Sequence, residues 1–195
     1  MYLNFSILGR TLSFKIVNDK VFNISFLIVK KPDKETYGVT SRCFDGSHSI
    51  FLDYDGLTFE EMTDELENII YEFGLSSFYI FKNDTDKSFH AICLDKFRMY
   101  EAMDIISYTS ADKGFKKAPI LFKQRRWVLR VSPKGKRKKP EYLATIKSDN
   151  NAYEKSTAHR IFLEANYNMK IGKLKMEDGF DEFIDICRYN TGANC

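Results

Sequence analysis

No apolar run in this sequence approaches the ~18 residues a membrane-spanning helix needs, so no membrane partner is expected. The opening Met1-Tyr2-Leu3-Asn4-Phe5-Ser6 has neither a basic start nor a long apolar stretch, and no secretory signal is expected. Cysteine is sparse: Cys43, Cys93, Cys187 and Cys195 are scattered without a C-x-x-C pair. That argues against a structural zinc site and fits a reducing, cytoplasmic setting, with Cys93 a buried thiol inside an apolar run. No P-loop, dinucleotide glycine motif or G-x-S-x-G elbow occurs, which removes the commonest nucleotide-binding and hydrolase signatures. Internal repeats are absent, as is any low-complexity tract beyond one lysine cluster.

What is present suits one domain over residues 1–195, with 44% hydrophobic and 15% aromatic residues to build a core. The core is expected at about 45–147, with an N-terminal hairpin in 1–31 and a helical part in 150–190. The net charge of +3 hides a segregation: twelve Lys/Arg and no acid lie between Lys113 and Lys139, leaving 18 basic against 27 acidic residues elsewhere. A basic segment on an otherwise acidic chain points to a polyanion. Lys134, Lys136, Arg137, Lys138 and Lys139 alone read equally as a solvated loop. Arg125, Arg126 and Arg130, on an expected strand just before them, strengthen the case for nucleic-acid contact.

Along the chain, Leu12–Val17 and Val21–Val29 flank the turn-prone Asn18-Asp19-Lys20, and Lys30–Gly46 reads as a loop. A strand over Ser49–Asp53 precedes a helix that Thr58 and Glu61 cap, with apolar residues at helical spacing to Phe73 and a stop at Gly74. Ser77–Lys82 and Ser88–Leu94 read as strands around the turn Asn83–Lys87. A second helix, about Phe97–Ser110, is expected to bury Tyr100, Met103 and Ile106. Arg125–Val131 alternates strictly and is expected to pair with Tyr142–Ile146. A third helix, capped near Asp149, Asn150 or Asn151, and a terminal helix over Phe180–Arg188 complete the reading. The strand-helix-strand-strand-helix order predicts an α+β, RRM-like (ferredoxin-like) antiparallel sheet with helices on one face and the other face open.

Asp53 and Asp55 sit at i and i+2 on the end of an apolar strand, so their carboxylates share a face. Like charges side by side persist most naturally where a divalent cation neutralises them, although most D-x-D pairs are turn or cap residues. Here the helix cap is Thr58, which leaves both acids to the sheet end. Ser88-Phe89-His90 opens the returning strand, where the histidine can meet a phosphate; a satisfied core histidine is the plainer reading. Two carboxylates, a histidine and strand arginines together describe a nucleotide–metal site. His48, His90 and His159 are too far apart for the paired histidines of a rolling-circle endonuclease. Trp127 reads as core, or as a base-stacking residue if its face is open.

Over roughly residues 45–147 these features resemble the archaeo-eukaryotic primase superfamily, the replicative primases and primase-polymerases. Phe51-Leu52-Asp53-Tyr54-Asp55 is similar to that family's D-x-D or D-x-E strand, and Ser88-Phe89-His90 to its small-x-His strand. The resemblance implies Asp53 and Asp55 as catalytic ligands of Mg²⁺ or Mn²⁺, with Ser88, His90, Arg126 and Arg130 near the incoming nucleotide's phosphates. It implies nucleoside triphosphates and a single-stranded DNA template as substrates, with a helicase or other replication protein as partner, in a plasmid or viral replication module. The family's third acidic residue has no counterpart in Arg125–Val131; Asp95, Asp104, Asp112 and Glu141 are the candidates. The competing expectation is a non-catalytic nucleic-acid-binding replication protein that uses the basic loop and sheet face.

Overall fold

The computed structural model describes residues 2–7, 10–15, 27–30, 36–121, 123, 125–169, 171 and 186–189. The chain divides into two compact units, one ending at Glu35 and the other running from Thr36 to Tyr189. In the first, β1 (Tyr2–Ile7), β2 (Arg10–Lys15) and β3 (Leu27–Lys30) form an antiparallel sheet in that order. The β2–β3 pairing is the strand portion of the expected hairpin, whose turn lies outside the described residues. The strand β1 was not expected.

The second unit is α+β, with two antiparallel sheets and four helices: α1 (Phe59–Phe73), α2 (Met99–Tyr108), α3 (Lys113–Leu121) and α4 (Thr157–Tyr167). Its four-stranded sheet has β5 (His48–Asp55), β7 (Ser88–Phe97), β6 (Phe78–Lys82) and β9 (Glu141–Ile146) in that order. Because β7 is antiparallel to both neighbours, β5 and β6 run parallel across it, joined by α1. The helix starts where the sequence places it. Thr58 accepts from the Glu61 N–H while the Glu61 carboxylate accepts from the Thr58 N–H, and Gly74 ends it in the left-handed region at φ 65°.

The three-stranded sheet, β10 (Ile186–Tyr189), β4 (Thr36–Thr40) and β8 (Val128–Arg130), corrects several expectations. β4 lies inside the stretch read as a loop. β8 is shorter than expected and pairs with β4, while β9 pairs with β6, so the basic connection from 131 to 140 joins two sheets rather than closing a hairpin. Residues 186–188, placed in a terminal helix by the sequence, belong to the strand Ile186–Tyr189; residues 180–185 lie outside the described set.

Both faces of the four-stranded sheet are covered. Tyr54 donates to Glu65 of α1 at 2.8 Å, and α1 and α2 pack on the face of Ile50, Leu52 and Tyr54. On the opposite face Phe51 packs edge-on to His159 of α4 at 5.3 Å and Phe81 meets Tyr167 at 4.4 Å, so the face expected to be open is closed by α4 over part of its area. The helix α2 buries Ala102, Ile105 and Ile106 and leaves Tyr100 57% exposed, a rotation from the expected side. Ser156 caps α4, downstream of the expected caps, and Cys93 is buried as expected. No helix of the described residues is long and apolar enough to cross a membrane.

Candidate functional site

The β5–β7 register brings the two sequence motifs together residue by residue. Asp53 pairs with His90 and Asp55 with Ser88, and directly opposed residues in an antiparallel pair share a face. All four therefore project to the side of Phe51, at the end of the sheet that α4 leaves uncovered. The Nε2 of His90 stands 3.5 Å from Asp53 Oδ1, and Ser88 Oγ donates to Asp55 Oδ1 at 2.7 Å while accepting from Asn83 Nδ2 at 3.1 Å. Gly56 makes the turn after Asp55 at φ 93°, its N–H donating to the Lys87 carbonyl at 2.7 Å. This bond closes the strand end and fixes where the carboxylates stand.

These residues floor a cleft of about 270 Å³ whose wall is β8, through Val128, Leu129 and Arg130, and whose rim carries Lys134 and Arg137. The lining thus carries three acids, Asp53, Asp55 and Asp84, and three cations. Arg130 anchors that rim: its Nη1 donates to the carbonyls of Ser132 and Lys138 at 2.6 Å each, and its Nη2 reaches Asn83 Oδ1 at 3.4 Å. Asp84 completes the anchor, accepting from the Lys138 N–H at 2.7 Å and lying 4.0 Å from the Arg137 guanidinium. Lys134 and Arg137 bond reciprocally across a tight turn at Gly135, φ 59°. Asn83 and Asp84 are the residues that sequence reasoning missed. Both read as ordinary turn formers, and their role depends on a loop some fifty residues later.

The other expected contacts are placed differently. Arg125 is exposed and Arg126 half-buried before β8, both outside the cleft lining. Lys136 and Lys138 are exposed, whereas Lys139 donates to the Asn166 carbonyl at 2.6 Å and lies 4.6 Å over the Tyr167 ring, bound to the end of α4. Trp127 is 1% exposed and is core. Among the third-acid candidates, Asp95 is buried and accepts from the Ser76 N–H and hydroxyl at 2.7 Å each, Asp104 is exposed on α2, and Glu141 is exposed on β9. Asp112 alone neighbours the site: its N–H donates to the Asp53 carbonyl at 2.7 Å while its carboxylate caps α3 through the Phe115 N–H at 2.7 Å.

Burial, then the charges of Asp55 and Asp112, raise the Asp53 carboxyl to about 7, against the pull of Arg130 and Arg137. Burial, with Arg130 nearby, pushes the His90 imidazole down to about 3. At neutral pH the 3.5 Å contact is therefore a neutral imidazole beside a carboxyl near its midpoint, not an ion pair. Both shifts leave a signature in stability. Asp53 contributes stability below about pH 4 that is lost as pH rises through 7; His90 contributes stability above 6.5 that is lost as pH falls towards 3. Asp53→Asn removes the first effect only. Its stability advantage over the wild type is expected to be small at pH 4 and to grow to about 4 kcal/mol by pH 8, read from urea unfolding at several pH values. An advantage that stays constant with pH would remove the case for a strained carboxyl.

Hard oxygen donors paired on one face, Asp53 and Asp55, fit Mg²⁺ or Mn²⁺, which one or two carboxylates plus substrate phosphates suffice to hold. Among the described residues no group of three His, Cys, Asp or Glu could hold a metal by itself. No family model matches this chain, and neither does any curated protein or solved structure.

Proposed function

We propose that this chain is a primase-like nucleotidyltransferase that synthesises or extends a primer on single-stranded DNA. The observation that carries the reading is the cross-strand set Asp53–His90 and Asp55–Ser88, side by side on the floor of a cleft with a cationic rim. The split β5–α1–β6 unit with β7 between its strands supports an RRM-like ancestry for the sheet, although β9 lies beside β6 rather than β5.

Asp53 and Asp55 would hold Mg²⁺ or Mn²⁺, and the ion supplies neutralisation of triphosphate charge during attack of a 3′-hydroxyl on the α-phosphate. Ser88 keeps the Asp55 carboxylate turned into the cleft through its hydrogen bond. His90, held neutral by burial, offers one ring N–H to a phosphate oxygen without adding charge. Lys134 and Arg137 meet the triphosphate from the rim. Arg130 acts on it chiefly by holding those two, since both Nη1 hydrogens are given to carbonyls and Nε remains for a ligand.

The engagement of Arg130 and the commitment of Asp112 to a helix cap favour a second reading, a non-catalytic nucleic-acid-binding replication protein. Thermal unfolding with Mn²⁺ and a nucleoside triphosphate separates the two. The enzyme reading expects an upward shift of several degrees that Asp53→Ala/Asp55→Ala abolishes, because only ligands of the native state stabilise it. A shift equal in both proteins, or none in either, leaves only the binding reading.

A further inference from the structure

The segment between Asp112 and Arg130 leaves the cleft floor and returns to its wall. It departs where the Asp112 N–H meets the Asp53 carbonyl, passes through α3, and comes back as the three residues of β8 that line the cleft. The nine residues of α3 span about 14 Å between those two tethers. Lys113 and Lys117 are exposed at i and i+4 on one side of this helix, a like-charge spacing that disfavours it. Lys123 and Arg125 are exposed just beyond, and none of the four forms an ion pair with a described residue.

Two further observations set this surface apart from an ordinary solvated run. Ile120 and Leu121 stand among the cations at 61% and 64% exposure, so apolar surface is presented where charge alone would serve solubility. Lys123 and Arg125 hold φ of 54° and 50°, a region long side chains seldom adopt, and they are kept there by N–H bonds to the carbonyls of Ile120 and Pro119 at 3.2 and 3.3 Å. Lys116, by contrast, turns inward to the Thr109 carbonyl at 2.6 Å and is part of the scaffold.

We infer that Lys113, Lys117, Lys123 and Arg125 bind the phosphate backbone of a single-stranded nucleic acid at the cleft, with Ile120 and Leu121 meeting its unstacked bases; this rests on the nucleic-acid half of the proposed function. The cations follow one another along α3 and the residues after it, and none lines the cleft, an arrangement that suits a linear polyanion. Lys134 and Arg137 line the cleft and these four cations do not, so the two sets contact different stretches of the strand.

The test is fluorescence anisotropy of a labelled oligothymidylate of about 30 nucleotides, titrated with salt. Lys113→Gln/Lys117→Gln/Lys123→Gln is expected to reduce the slope of log K against log salt by about 2 and to weaken binding roughly 100-fold near 0.1 M salt, each backbone contact contributing about 0.7 to the slope. Arg125→Gln alone is expected to reduce the slope by about 0.7. The stabilisation by Mn²⁺ and nucleotide stays as in the wild type. Wild-type slope and affinity in the triple variant overturn the inference. So does a loss confined to phosphatidylserine vesicles with oligonucleotide binding intact, which assigns these cations to a membrane surface. If the wild type shows no response to Mn²⁺ and nucleotide but the triple variant still loses its slope, the catalytic reading falls and this surface stands.

Discussion

Asp53→Ala/Asp55→Ala is expected to lower template-dependent nucleotide incorporation by at least about 10³-fold while leaving the protein as stable as the wild type or more so. The two halves of that expectation have one cause. The carboxylates are held together on one face, Asp53 partly buried and raised to about 7 by burial and by its acidic neighbours. Such a site is unfavourable in the free protein, so removing it relieves like-charge repulsion and desolvation. On the proposed reading a cation and a triphosphate neutralise it. Loss of activity with retained or raised melting temperature separates a functional pair from a structural one; loss of both would make the pair a fold determinant. Incorporation that survives in the double variant would falsify the nucleotidyltransferase reading outright. If the wild type binds Mn²⁺ and nucleotide but incorporates nothing on any template, the cleft is a binding site without turnover. In that case the commitment of Asp112 to the α3 cap becomes the physical reason.

The core of this site was legible because it is local. Alternation along β5 and β7 and the short β6–β7 turn are enough to place Asp53, Asp55, Ser88 and His90 on neighbouring strands with matching faces. The wall of the cleft was not legible, because it is built by pairings far apart in sequence. β4 is five residues between polar flanks, and its partners are β8 and β10, on the order of ninety and one hundred and fifty residues later. β9 was assigned to β8 because consecutive strands commonly pair, whereas β6 offered the longer ladder, interrupted by a bulge at Leu143. In α3, Gly114 and Pro119 weaken the helical signal; the Asp112 cap and the burial of Pro119 hold it in place. The role of Asp84 followed from none of its neighbours in sequence, since it acts on Lys138 across two sheets.

Trp127→Ala is expected to cost about 3–5 kcal/mol, a large share of the roughly 5–15 kcal/mol by which folded proteins are ordinarily stable. The indole is 1% exposed, edge-on to His48 at 5.9 Å, at the point where β8 is tied to the chain before β5. Its N–H donates to Ser41 Oγ at 3.1 Å and its carbonyl accepts from the Ser41 N–H at 2.9 Å, so the backbone of the cleft wall hangs from this residue. Its ring Nε1 is buried without a hydrogen-bond partner among the described residues. An orphaned donor costs about 1–3 kcal/mol, so Trp127→Phe loses packing but removes that penalty and is expected within about 1 kcal/mol of the wild type in urea unfolding. A severe loss in Trp127→Phe would mean that the indole N–H has a partner. A mild loss in Trp127→Ala would mean that the wall is held elsewhere. Were the ring a base-stacking platform, Trp127→Ala would weaken oligonucleotide binding without unfolding the chain. Burial of the ring rules that arrangement out, and leaves Trp127 to hold Val128–Arg130 in the cleft lining with Asp53 and His90.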